Sequence, residues 1–197
     1  MLLFDLGGVI VELTGVPRML EWTNERFTVE ELWEAWLKSP SVRKFESGKS
    51  APDEFAESMI EEFGLPVEKN QFLYEFERWP KRIYPGAREL LQILRQKYTL
   101  ASLSNNNIIH WTSFVEKTGL DKLFDYNFPS HRTGFLKPDT EAFTNAVKAL
   151  EVKADEVLYL DDNIINVEAS VQTGIRGAVT DGFSSLVEFL KNEKILK

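Results

Sequence analysis

Residues 1–13 read MLLFDLGGVIVEL: a short apolar run, an aspartate, two glycines and a second apolar run. Residues 2–6 are too few for a stable helix and are apolar throughout apart from Asp5, the pattern of a strand buried on both faces. Similar runs occur at 98–103, 156–160 and 177–179, and 127–129 reads as a further short strand. Between them apolar residues recur at helical spacing, as in 87–96 (Leu90, Leu91, Leu94) and 140–150 (Phe143, Val147, Leu150). Apolar strands alternating with amphipathic helices predict an α/β fold, a three-layer Rossmann-like parallel sheet with helices on both faces.

One segment breaks the alternation. Residues 14–80 carry helical patterns alone, at 16–23, 29–37, 52–63 and 68–79, separated by Pro40, the turn Glu46-Ser-Gly-Lys and Gly64-Leu-Pro66. Pro52, followed by Asp53 and Glu54, sets proline in a first helical turn and acids at its positive end. The expected organisation is a core of residues 1–13 and 81–197 with a helical cap, 14–80, inserted after the first strand. The alternative is four more helices laid on the sheet. Trp22, Trp33, Trp36 and Trp79 read as core or interface residues of that segment rather than as a substrate platform.

The chain has 197 residues, 43% hydrophobic and 12% aromatic, enough for a packed interior. A formal net charge of −8 argues against nucleic-acid partners, and the absence of cysteine excludes disulfides and thiolate chemistry. The first residues lack the basic segment and cleavage site of a signal peptide, and no apolar stretch approaches the ~20 residues of a membrane span. A cytoplasmic protein without membrane partners is expected, its oligomeric state left open. Because an acidic surface repels phosphate esters, any phosphate site must make its own positive field.

In open parallel sheets ligands bind at the carboxyl ends of the strands. There stand Asp5, then Ser104-Asn105-Asn106, then Asp161-Asp162-Asn163, while Lys137 lies in the loop Gly134-Phe-Leu-Lys-Pro. Three aspartates converging in a partly dry crevice need a compensating charge, and Mg2+ with oxygen ligands and waters fits them. One carboxylate can then attack phosphorus, Lys137 can neutralise phosphoryl oxygens, and the Ser104 hydroxyl with backbone N–H groups can hold the phosphate. Taken singly these residues have plainer uses: a turn for Asp5, an N-cap for Ser104-Asn-Asn-Asn, a solvated loop lysine for Lys137, backbone turning for Gly7-Gly8.

FDLGGVIVE, LASLSNN, GFLKPDTEAF and LYLDDNIINVEAS occur in that order and resemble the four motifs of the haloacid dehalogenase superfamily. The opening DLGGVIVE and the stretch FESGKSAPDEF are similar to a branch that includes an alpha-D-glucose-1-phosphate phosphatase. The resemblance implies a magnesium-dependent phosphoric monoester hydrolase with a small helical cap, working through an aspartyl-phosphate on a small phosphorylated metabolite. It makes Asp5 the nucleophile and first metal ligand, Ser104 and Asn105 phosphate contacts, and Lys137 the lysine of the third motif. Asp162 becomes the second metal carboxylate, with its neighbour Asp161 ligating through water, and the backbone oxygen of Gly7 a further ligand.

Gly7 departs from the family pattern, which has a second aspartate there as general acid and base. The missing proton relay is worth typically ~10²–10⁴-fold. Glu12, His110, His131, a substrate hydroxyl or water are the substitutes in view. Two other functions compete: a metal-free 2-haloacid dehalogenase, which does not need the second aspartate, and a catalytically weak phosphosugar-binding or regulatory protein.

Overall fold

The computed structural model describes residues 1–196. Five parallel strands form the main sheet in the order β5-β4-β1-β6-β7: β1 (Leu2–Phe4), β4 (Leu100–Ser104), β5 (Tyr126–Pro129), β6 (Leu158–Asp161) and β7 (Arg176–Val179). Register with β1 sets where its neighbours begin. Leu2 faces Leu100 on one side and Leu158 on the other, so the second and third expected strands each start two residues later than their apolar runs. β1 itself ends at Phe4, which leaves Asp5 just beyond the strand.

Alternation along the strands divides the core. Leu2, Phe4, Leu158 and Leu160 point to one face, with α6 (Ala87–Arg95), the π-helical run Trp111–Glu116 and α11 (Gly182–Asn192). Leu3, Ala101, Leu103 and Tyr159 point to the other, with α9 (Thr140–Leu150) and α10 (Ile164–Gln172). Right-handed crossovers explain the sorting. The chain moves from β1 outward to β4 and β5 with its helices on one face. It then returns to β6 and β7 in the opposite direction, which puts α9 and α10 on the other. The result is the expected three-layer α/β sheet.

Five helices lie between the first strand and α6: α1 (Gly15–Trp22), α2 (Val29–Lys38), α3 (Pro40–Glu46), α4 (Pro52–Phe63) and α5 (Lys69–Phe76). Pro40, expected as a separator, is the first residue of α3, where its missing N–H costs nothing, and Ser39 caps that helix by accepting from the Val42 N–H. These helices share an apolar cluster of their own, including Met19, Leu32, Phe45, Phe55, Met59, Phe72 and Phe76. Trp22 belongs to it and Trp36 and Trp79 pack on it, whereas Trp33 is exposed. The segment is entered and left through an antiparallel ribbon, β2 (Val11–Leu13) with β3 (Pro80–Ile83), too short to carry a sequence signal.

At the centre of that cluster the Phe45 and Phe55 rings stack with centroids 4.1 Å apart, both buried. Phe55→Ala should destabilise the helical segment by about 3–5 kcal/mol. Urea unfolding followed through Trp22 and Trp36 fluorescence checks this, and a loss below about 1 kcal/mol would mean that the segment does not depend on this packing.

Candidate active site

Between β1 and β6 the chain changes its direction of travel across the sheet, so the connections leaving their carboxyl ends diverge and open a crevice. Asp5 lies just past β1, Asp161 ends β6 and Asp162 comes directly after it. One carboxylate oxygen from each lies within 4.8 Å of the others. Lys137 enters from the loop after α8 (Ser130–Thr133) and is almost completely buried, at 2% exposure. Its Nζ stands 2.9 Å from Asp5 Oδ1 and donates to Asp161 Oδ2 at 2.7 Å and to the Tyr159 hydroxyl at 2.8 Å. Ser104 closes β4, buried, its hydroxyl making no bond closer than 3.4 Å.

The two adjacent aspartates differ. Asp161 accepts from Lys137 and Tyr159 on one oxygen, from the Asn163 N–H at 2.7 Å on the other, and from the Asn166 amide on both. Burial works against its charge, yet these partners, Lys137 foremost, hold its carboxyl below the ordinary range. Asp162 has no such set; desolvation, with Asp5 and Asp161 close by, pushes its carboxyl up to about 8. Asp5 is raised to about 6, chiefly by burial, with Lys137 pulling the other way. Burial also opposes the lysine's charge, but Asp161 and Asp5 outweigh it and hold Lys137 above its usual value. Three carboxylates face one ammonium, so full ionisation leaves an excess negative charge that a hard divalent cation would balance. The donor set therefore fits a metal.

Backbone geometry keeps this space open. Gly8 has φ +71°, and a Cβ there would lie 1.9 Å from Asp162 Oδ2, so the position excludes a side chain both conformationally and sterically. Gly7 differs: its backbone is ordinary, and a Cβ would meet the flexible end of Leu13 at 2.8 Å.

Asn105, expected as a phosphate contact, has its side chain tied to Lys137. Its side chain donates to the Lys137 carbonyl and accepts from the Lys137 N–H, both at 2.8 Å, so both polar atoms are engaged in holding the lysine loop. The N-cap expected in this stretch is Asn107, which accepts from the His110 N–H. Two substitutes for the missing acid are occupied elsewhere, and a third is not engaged. Glu12 is bound by Lys81 and Arg82, each at 2.6 Å, which lower its carboxyl. His110 stacks on Phe76 and bonds to the Phe76 carbonyl at 2.6 Å, with burial depressing its ring to about 4. His131 lies against Trp111 with both ring nitrogens buried and without a hydrogen-bond partner, and burial lowers its ring.

Tyr159 and Asn166 escaped the sequence reading. Both had a signal: Tyr159 is two residues before Asp161 on the same face of β6, and Asn166 sits one turn along α10 from its cap, Asn163.

A family model described as haloacid dehalogenase-like hydrolase matches residues 1–174. The chain belongs to that family. Its hydrolase class follows from membership. Among its relatives is a sesquiterpene phosphatase of Aspergillus oryzae, 27% identical over 94% of this chain and 92% of that one. A haloacid dehalogenase family enzyme of Bacteroides thetaiotaomicron, solved in complex with magnesium and inorganic phosphate, superposes with a TM-score of 0.73 at 26% identity. That match covers 90% of this chain and 92% of the other. An L-2-haloacid dehalogenase of Xanthobacter autotrophicus, 19% identical with a TM-score of 0.62 over 100% of this chain and 84% of its own, shares the fold. Among the described residues no helix is long and apolar enough to cross a membrane.

The carboxylates also set a pH dependence. With folded-state values near 6 and 8, Asp5 and Asp162 keep protons that the unfolded chain has released above its carboxylate pKa of about 4. Their contribution to stability is therefore largest at low pH and is lost as pH rises through those values. Asp161 and Lys137 titrate outside this window. The gain in melting temperature that magnesium gives over chelator should grow from about pH 5 to about pH 8; a gain that is flat or shrinks would contradict this charge arrangement.

Proposed function

We propose that the protein is a magnesium-dependent phosphatase that hydrolyses a small phosphorylated metabolite through an aspartyl-phosphate on Asp5. The observation that carries this reading is the buried contact of Lys137 with Asp5 and Asp161 beside the less-partnered Asp162. Such a site presents a nucleophile, a fixed positive charge for phosphoryl oxygens and an acidic set for a cation, as phosphoryl transfer by positioning and charge stabilisation requires. Both the sesquiterpene phosphatase relative and the neighbour bound to magnesium and phosphate support it.

In this reading Asp5, Asp162 and the Gly7 backbone oxygen hold Mg2+, with Asp161 beside them anchoring Lys137. The bound ion supplies charge neutralisation for the transferred phosphoryl group. Asp5 attacks phosphorus while Lys137 and the Ser104 hydroxyl orient the phosphoryl oxygens, and Asn105 holds the lysine in place. Residues 14–80 form the cap over the crevice and shape its specificity, on a core of residues 1–13 and 81–197. A 2-haloacid dehalogenase, which needs no cation, would leave the carboxylate excess uncompensated.

Phosphate release from a panel of sugar and other small phosphate esters tests this. Activity should require magnesium, fall to background in Asp5→Asn, and need markedly more magnesium in Asp162→Asn. Full turnover in excess chelator, or chloride release from a 2-haloacid without phosphate release from any ester, would overturn the proposal.

A further inference from the structure

Hydrolysis of an ester whose leaving oxygen is poorly acidic needs a proton donor, and Gly7 has none. Glu12 is tied to Lys81 and Arg82, His110 to Phe76, and His131 lies against Trp111. A further carboxyl in the neighbourhood comes from the helical segment.

Glu46 is the last residue of α3. That end of the helix is docked on the loop region that carries Lys137, from both sides of Glu46. Before it, Arg43 pairs with Asp139 at 2.6 Å. After it, Gly48, at φ +74°, lies so close to the main chain of His131 that a Cβ would stand 2.3 Å from the His131 carbonyl oxygen. Phe45 and Ser47, on either side in sequence, are buried, whereas Glu46 is only partly so and keeps an accessible face. Asp5, Lys137 and Arg43 are near enough for their charges to act on its carboxyl. Burial, the largest influence, pushes that carboxyl up to about 7, within the range suited to a general acid near neutral pH.

We propose that Glu46 is the general acid and base of the reaction, brought to the crevice by α3 in place of the carboxylate absent at Gly7; this rests on the phosphatase reading of the site. As an Asp5 oxygen bonds to phosphorus, the bond to the ester oxygen breaks and its electron pair stays on that oxygen. The oxygen takes the Glu46 proton and leaves as the alcohol. Water then attacks the aspartyl-phosphate, giving its proton to the Glu46 carboxylate, and phosphate departs from the regenerated Asp5.

The test is a leaving-group series on the full chain with saturating magnesium, from 4-nitrophenyl phosphate through phenyl phosphate to propyl phosphate, with and without Glu46→Gln. Glutamine keeps the size and a hydrogen-bonding end but gives up no proton. Expected is a loss of about 10²–10⁴-fold in kcat/KM on propyl phosphate and a far smaller one on 4-nitrophenyl phosphate, whose leaving group needs no proton; kcat/KM ends at departure of the alcohol and so excludes the later attack of water. An unchanged urea-unfolding midpoint is the folding control. An equal loss of kcat/KM on every ester would mark Glu46 as structural and overturn the proposal, as would no loss on any. Absence of turnover by the unaltered protein on the whole series would instead strike the phosphatase reading and take this inference with it.

Discussion

The contact of Lys137 with Asp5 and Asp161 is the constraint around which the rest of the crevice is organised. An ammonium buried to this degree is tolerated because two carboxylates and a phenol surround it. Removing one partner from such a group typically costs about 3–5 kcal/mol, since the charge left behind has neither water nor a counterion. The lysine's approach is accordingly secured from outside. Asn105, just past the end of the neighbouring strand, clamps its main chain in both directions, and Ser130 ties the preceding turn to Asn106.

With Asp161 saturated by Lys137, Tyr159, Asn163 and Asn166, the two consecutive aspartates divide their duties. Asp161 fixes the cation of the protein itself, and Asp162 retains a carboxylate that lacks those partners. Gly8 belongs to the same arrangement, since any side chain there would occupy the position of the Asp162 carboxylate. A cation between Asp5 and Asp162 would relieve the repulsion that raises both groups, so metal affinity and the stability of the metal-free chain are two readings of one charge imbalance.

The helical segment has its own apolar cluster, yet it is tied to the sheet at points that converge on the crevice. His110, in the short helix just after the Ser104 loop, bonds to the Phe76 carbonyl and stacks on its ring, while α3 is held by the Arg43–Asp139 pair and the close approach of Gly48 to His131. Depressed by burial, the His110 ring stays neutral near physiological pH, and it serves as a joint between the two parts. Glu46 stands between the α3 contacts, which is how a residue distant in sequence comes within the field of Asp5.

Local sequence determined the strands of the sheet and the residues at their carboxyl ends, because both obey short-range rules. Apolar runs mark doubly covered strands, and the residues just beyond those runs lie where ligands bind. Hence Asp5, Ser104, Asp161 and Asp162 are legible from the order of residues alone, and Lys137 from its place among the four ordered motifs. Tyr159 and Asn166 are within reach of the same periodicities. Glu46 is not: in sequence it is one residue of a polar turn, and nothing near it signals a carboxyl away from water. Its surroundings come from α3 docking on a loop some ninety residues away, and the β2–β3 ribbon likewise exists only where two distant segments meet. Tertiary structure also decided which of two neighbouring aspartates holds the lysine, because desolvation and charge coupling depend on distances between groups and not on their order along the chain.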